Sequence, residues 1–422
     1  MDGTTRTPER LFDPPSHSVA WRDAPVFGQG RDVSAVPIRP PERFLVFGAP
    51  VIGEAEIAEV VASLRSGWLG TGPKVARFEA GFATYVGTPN AVAVSSCTAA
   101  LHLSMLTLGL QLGDEVITTA LTFAATVNAI IHAGATPVLA DVDPQTMNID
   151  PSSVEAAVTP RTRAILPVHL AGRACQMDEL MAIGDEHGLA LIEDCAHAIE
   201  TQYHGRHAGT FGRAGCFSFY VTKNVITGEG GMVLTEREED AARIKVLALH
   251  GMSSDAWRRF SDEGYRHYYV TECGYKYNMT DLQAALGIHQ LARVESNWAR
   301  RQQIWKRYRR ELEGVELDLP AEPEPDTRHA CHLFQVLVDG DCCGVSRDTF
   351  VERMTAENIG VGVHYLSIPE HPYYQQRFGW RTEMWPEARR IGRATVSLPL
   401  SAGLADDDVA DVIAAVKKVL NV

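Results

Sequence analysis

No Cys-x-x-Cys pair occurs, and of the eight cysteines only Cys342 and Cys343 are adjacent. That leaves no spacing to read as a zinc or dithiol redox site, and it suits reduced thiols in a cytoplasmic protein. No apolar run is long enough to span a bilayer. Met1-Asp2-Gly3-Thr4-Thr5-Arg6 lacks the charged-then-apolar build of a secretory signal. Positive charge is in deficit: the formal net charge is −14. Nucleic acid and anionic membrane are therefore poor main partners, although a local basic pocket for a phosphorylated small molecule stays open. Repeats and low-complexity tracts are absent as well. What is present is 422 residues, 45% hydrophobic and 22% charged, an ordinary globular composition with length for two domains.

One stretch organises the rest. An apolar strand over 215–220 runs into a polar turn carrying Lys223 and Asn224. Gly228-Glu229-Gly230-Gly231 follows, then the apolar Met232-Val233-Leu234. A lysine on a turn between two buried strands is poorly solvated, which lowers its pKa and frees the neutral amine. The chemistry that uses such an amine is Schiff-base formation, with a substrate carbonyl or with pyridoxal phosphate (PLP). The plain alternative is a lysine on a surface hairpin, because lysines are generally exposed.

Residues 1–43 are rich in Pro, Arg, Asp and Gly and read as an N-terminal extension. Residues 44–280 read as a large domain, and 281–422 as a linker helix with a smaller α+β domain. Ile57, Val60, Val61 and Leu64 give helix 54–66 an apolar face, and a glycine-rich loop with Trp68 follows at 67–73. A second amphipathic helix covers 75–85. Strands at 91–94, 115–118, 137–140, 164–168 and 189–192 alternate with helices at 98–108, 123–132 and 177–187. Continuous apolar strands separated by helices predict an α/β fold with a largely parallel sheet covered on both faces. Ligands of such sheets bind at the carboxyl ends of the strands. One long helix is expected over 281–312. Beyond it come a strand at 332–338, a helix at 347–358, a strand at 395–398 and a closing helix at 406–420.

The strand ends carry the chemistry. Ser95-Ser96-Cys97-Thr98-Ala99 joins a strand to a helix N-terminus, which suits a phosphate, or is a simple Ser/Thr cap. Glu193-Asp194-Cys195-Ala196-His197 places a carboxylate at the tip of a buried strand. Asp194 suits the pyridinium nitrogen of PLP and His197 its ring hydroxyl; a helix cap and a core histidine are the alternatives. Phe123 can stack on a planar cofactor or serve as core. Ser218 can offer a hydroxyl to the same phosphate. Alternation puts Lys276 and Asn278 on one side of their segment, both suited to phosphate. Nothing in the pattern calls for a metal.

These motifs, in this order, resemble the DegT/StrS family of sugar aminotransferases, PLP enzymes of fold type I. The matching stretches are 96–102, 193–198, 217–224 with 228–231, and 274–281, and the likeness runs from about Phe47 to the C-terminus. The resemblance implies that Lys223 carries the Schiff base and that Asp194 partners the pyridinium. It implies Phe123 as the stacking aromatic, His197 near the ring hydroxyl, and Thr98, Ala99 and Ser218 in the phosphate cup. It also implies a homodimer in which Lys276 or Asn278 reaches the neighbouring subunit's phosphate. Cys97 departs from the family, which usually has Gly or Ala there. His250-Gly251, Asp255-Ala256-Trp257, 274–278 and Gly362-Val363-His364-Tyr365 look similar to the branch acting on UDP-linked 4-ketosugars. The implied reaction moves an amino group from glutamate or glutamine to a ketosugar, with pyridoxamine phosphate as intermediate. Trp68, Trp257 and His364 are candidate substrate contacts; Arg65, Lys74, Arg258 and Arg259 are candidates for the nucleotide phosphates. The alternatives are an aminocyclitol (inosose-type) aminotransferase and a non-catalytic regulator on the same fold. Sugar 3-dehydrases of this fold replace the lysine by histidine, so Lys223 speaks against them.

Overall fold

Five-residue apolar strands of the kind expected from the sequence build one central sheet. In a computed structural model, residues 37–253 and 268–421 are described. Seven strands lie side by side in the order Asn90–Val94, Gly231–Thr235, Ala214–Ser218, Ala190–Asp194, Thr162–Leu166, Glu115–Thr119 and Thr136–Ala140. Gly231–Thr235 runs antiparallel to both neighbours, and the other pairings are parallel. Ala214–Ser218 and Gly231–Thr235 are therefore direct neighbours, and the loop joining them lies at the carboxyl end of Ala214–Ser218. Lys223 is on that loop. Strand Glu115–Thr119 is buried along its whole length, as continuous apolar strands in a covered sheet must be.

Local signals explain most helix starts. Ser96 accepts the N–H of Ala99 and opens helix Cys97–Thr107. Thr280 and Gln283 form a capping box at the start of Asp281–Ala292. Asp150 caps Pro151–Ala157, with Pro at the first helical position. That last helix was not anticipated, although its cap and proline were readable signals. Glu238–Ala248, Pro372–Phe378 and Pro386–Ala394 were also not anticipated.

Three expectations are corrected. The single helix over 281–312 is two, Asp281–Ala292 and Val294–Leu312. Between them Arg293 leaves helical geometry (φ −112°, ψ 11°) while its guanidinium holds Glu56 at 2.6 Å and the Val51 carbonyl at 2.7 Å. Helix Glu54–Ser66 buries Glu56 and Ser63 and leaves Ile57 and Leu64 47% and 55% exposed. Its inward side is polar because Glu56 also accepts from Gln290, at 2.9 Å, and from the Gly53 N–H, at 3.0 Å. Ile38 and Arg39, read as part of the extension, pack on the body: Ile38 lies against a second core and Arg39 pairs with Asp408 and Asp411 of the closing helix.

A second hydrophobic core lies beside the sheet. Ile304, Trp305, Tyr308 and Leu312 pack with Phe334, Phe350, Val396, Val412 and Val416. Among the described residues no helix is long and apolar enough to cross a membrane.

Candidate active site

A cavity of about 520 Å³ opens where the strands end, lined among others by Ser96, Thr98, Phe123, Asp194, His197, Ser218 and Lys223. Asp194 is the last residue of its strand and is buried. Its Oδ2 accepts from the Thr126 hydroxyl at 2.8 Å and its Oδ1 from the Ala196 N–H at 3.1 Å. Thr126 in turn takes the Thr122 hydroxyl at 2.8 Å, so its own hydrogen stays aimed at the carboxylate. Burial pushes the Asp194 carboxyl up, and the Thr126 and Ala196 donors hold it back. Lys223 is pushed down from 10.5 to about 8 by burial, with the Asp194 charge opposing. A neutral amine is thus accessible near physiological pH.

His197 is buried beside them. Its Nδ1 accepts the Ala171 N–H at 3.2 Å, so the ring proton sits on Nε2 and is donated to Tyr365 Oη at 3.1 Å. Burial, then the Lys223 charge, push the imidazole well below its usual range, and it stays neutral. The Tyr365 phenol is pushed up by burial and keeps its hydrogen, which is free to donate into the cavity. Phe123 stands at the mouth, 59% exposed, its ring 5.6 Å from that of Tyr365.

At the other end, strand Gly231–Thr235 comes so close to the loop before helix Cys97–Thr107 that a Cβ on Gly231 would lie 2.5 Å from the Ser96 backbone. Glycine is required for this approach. Thr98 and Ser218 line the cavity there. Ala99 does not line it, and its N–H is committed to Ser96 Oγ at 3.1 Å. The Cys97 thiol is buried and pushed well up, mainly by burial.

The remaining candidates fall in different places. His364 lines the cavity with Nδ1 2.9 Å from Ser397 Oγ, and is pushed down to about 4 by burial and then by Lys223. Lys276 and Asn278 do not line it: Lys276 Nζ donates to Asn278 Oδ1 at 2.6 Å, and Asn278 Nδ2 to Thr71 Oγ1 at 2.7 Å. Trp68 is half exposed, with its indole N–H on the Thr71 carbonyl at 3.2 Å, away from the cavity. Arg65 is exposed and Lys74 is paired with Glu59 at 2.6 Å, and neither lines the cavity. Trp257, Arg258 and Arg259 lie outside the described residues.

Sequence reading missed His332 and Tyr365 as cavity residues and left Asn224 without a role. Asn224 Nδ2 donates to Glu200 Oε2 at 2.8 Å, and Glu200 is ion-paired with the buried Arg301. His332 Nδ1 lies 2.9 Å from Asn224 Oδ1. The only local hint was that Asn224 adjoins Lys223. A separate buried group, His169, Glu193 and Cys195, brings metal-ligating side chains together. Protein partners fill it: Glu193 takes the Gly209 and Gly212 N–H groups at 2.7 and 2.8 Å and faces His169 Nε2 at 3.1 Å, while His169 Nδ1 takes the Cys175 N–H at 3.1 Å.

These residues fit PLP. A buried carboxylate fixed by two hydrogen-bond donors, a lysine amine of lowered pKa, an open aromatic face and a hydroxyl-lined helix N-terminus all meet in one cavity. On the mixed seven-stranded sheet this arrangement is that of a PLP-dependent aminotransferase of fold type I.

Comparison with known proteins agrees and narrows the class. The model of the DegT/DnrJ/EryC1/StrS aminotransferase family matches residues 50–417. The spore coat polysaccharide biosynthesis protein SpsC of Bacillus subtilis is 50% identical over 378 residues, which cover 89% of this chain and 97% of SpsC. Spr1654 of Streptococcus pneumoniae, described as a sugar aminotransferase, superposes in its pyridoxamine phosphate form with a TM-score of 0.84 at 33% identity, covering 89% of this chain and 99% of that one. PseC of Helicobacter pylori, an aminotransferase of pseudoaminic acid biosynthesis, gives 0.83 at 26% identity, with 90% of this chain and 100% of that one covered. The chain belongs to the DegT/DnrJ/EryC1/StrS aminotransferase family.

Proposed function

We propose that this aminotransferase moves an amino group from glutamate or glutamine to a ketosugar in aminosugar biosynthesis, and that the acceptor is a nucleotide-linked 4-ketosugar. The observation that carries the reading is the joint placement of Lys223 and Asp194 in a cavity whose lining also offers His332, His364 and Tyr365 to a polyhydroxylated ligand. The relatives support it: SpsC is named for polysaccharide biosynthesis and PseC for pseudoaminic acid biosynthesis.

When bound, PLP supplies an electron sink for the carbon that loses or gains a proton. The chain's own residues do the rest. Asp194 carries the negative charge that keeps a pyridine nitrogen protonated. The Lys223 amine, neutral in part near pH 8, takes a proton from one carbon and delivers it to another. His197 and Tyr365 hold the polar edge, Phe123 offers a ring face, and Ser96, Thr98 and Ser218 offer hydroxyls and N–H groups to a phosphate. Lys223 is the one cation among the described cavity-lining residues, so a phosphate there lacks a second positive charge.

Two chains meeting as a homodimer supply that charge. Helix Glu54–Ser66 turns Ile57 and Leu64 outward, and Phe44, Val46, Ile52, Trp68 and Leu69 are exposed nearby in sequence, a surface suited to a second copy. Lys276 and Asn278 then serve the partner's phosphate. The eight cysteines are free thiols, in keeping with work in the cytoplasm.

The test is a panel of 3-keto and 4-keto nucleotide sugars and inososes given to enzyme loaded with pyridoxamine phosphate. Return of the aldehyde-form spectrum with a 4-keto nucleotide sugar is expected. Discharge by an inosose alone would replace this reading with the aminocyclitol one.

A further inference from the structure

We propose that His332 is a specificity-determining residue whose Nε2 accepts a hydrogen bond from a hydroxyl of the amino-group acceptor. The proposal rests on the reading of that acceptor as a polyhydroxylated ketone.

The opposite edge of the ring is held by the protein. His332 Nδ1 lies 2.9 Å from Asn224 Oδ1. The Asn224 amide cannot be turned round, because its Nδ2 donates to the Glu200 carboxylate at 2.8 Å. Glu200 is held in place by Arg301, and both are buried. An amide oxygen only accepts, so Nδ1 of His332 must carry the hydrogen. The chain Arg301, Glu200, Asn224 therefore selects one tautomer and leaves a lone pair on Nε2. His332 lines the cavity, and among the described residues its side chain has one hydrogen-bonding partner, at Nδ1, with none at Nε2. The ring packs against that of His197, centroids 4.4 Å apart.

Charge narrows the role further. Burial, then Lys223, push His332 well below the usual imidazole range, so it is neutral throughout the working range and donates nothing from Nε2. Such a nitrogen is too weak a base to compete with the Lys223 amine for a carbon-bound proton. It is an acceptor of fixed direction, and a sugar hydroxyl is a matching donor. A buried site built to receive a hydroxyl rejects the analogue that lacks it, because the acceptor is left unpaired.

The experiment compares the two half-reactions of holoenzyme by absorbance in wild type, His332→Asn and His332→Gln. Asn keeps a donor toward Asn224 and deletes the far nitrogen; Gln restores an acceptor near that position. His332→Asn should slow the acceptor half-reaction about ten- to a hundredfold while the donor half-reaction falls by no more than about threefold. His332→Gln should lie between Asn and wild type. The wild type should reject one monodeoxy acceptor far more strongly than His332→Asn does. In histidine-labelled wild-type holoenzyme, nitrogen NMR should show a neutral Nδ1–H tautomer for His332 whose Nε2 signal moves on adding the aminated product. Equal slowing of both halves, an unaffected acceptor half, or an Nε2 signal indifferent to product overturns the proposal. Should the wild type prefer an inosose, the nucleotide-sugar reading falls, and the same split is measured on the inosose, which also bears hydroxyls.

Discussion

The Thr126 hydroxyl donates to Asp194 Oδ2 at 2.8 Å from a different element of the fold, the helix Ala124–His132. It is one of two donors that offset the burial of this carboxylate. Thr126→Val removes a charge-assisted hydrogen bond, a loss of about 1.5–3 kcal/mol, and raises the Asp194 pKa further. PLP affinity, read by absorbance titration of the apoprotein, should fall by about tenfold or more, and Thr126→Ser should restore most of it. Equal affinity in wild type and Thr126→Val would mean that Asp194 does not meet the cofactor.

Lys223→Ala should abolish covalent capture of PLP. Borohydride reduction of the wild type followed by peptide mapping should place the adduct on Lys223. A label on any other lysine sinks the assignment.

Asp194→Asn keeps the shape of the site and removes its charge. Turnover should drop by several orders of magnitude while some cofactor remains bound. A variant near the wild-type rate would make Asp194 merely the end of its strand.

The lowered pKa of Lys223 has a kinetic signature. The amine is protonated and inert well below pH 8 and becomes neutral as pH rises through about 8, not through 10.5. The rate at which apoprotein captures PLP should therefore rise with pH and level off above that midpoint. The linked stability has the same sign: the folded state binds fewer protons than the unfolded state between about 8 and 10.5, so stability gains with pH there. A capture midpoint near 10.5 would show that burial does not act on this amine.

Mixing inactive Lys223→Ala with inactive Lys276→Ala/Asn278→Ala should recover part of the activity, because one site in each mixed dimer is intact. If the proposed homodimer forms through this face, Ile57→Asp/Leu64→Asp should sediment closer to a monomer than the wild type does. A fully active monomer would refute sharing of the site.

Much was legible in the sequence, for a local reason. An apolar run ending in a polar, glycine-bounded turn marks a strand and what stands at its tip, and this located Asp194, Lys223 and the helix start at Ser96–Thr98 without tertiary information. The fold class followed from alternating strands and helices. Periodicity also placed helix Glu54–Ser66 with its ends correct. It could not say which face of that helix is covered. The inward side was decided by Arg293 and Gln290, more than 200 residues away, whose side chains reward a buried Glu56. The break at Arg293 has the same origin. Asn224, Glu200, Arg301 and His332 likewise carry no common pattern along the chain. Each polar group among them is tolerable in a buried place only because the others satisfy it, and that condition exists only once the chain has folded.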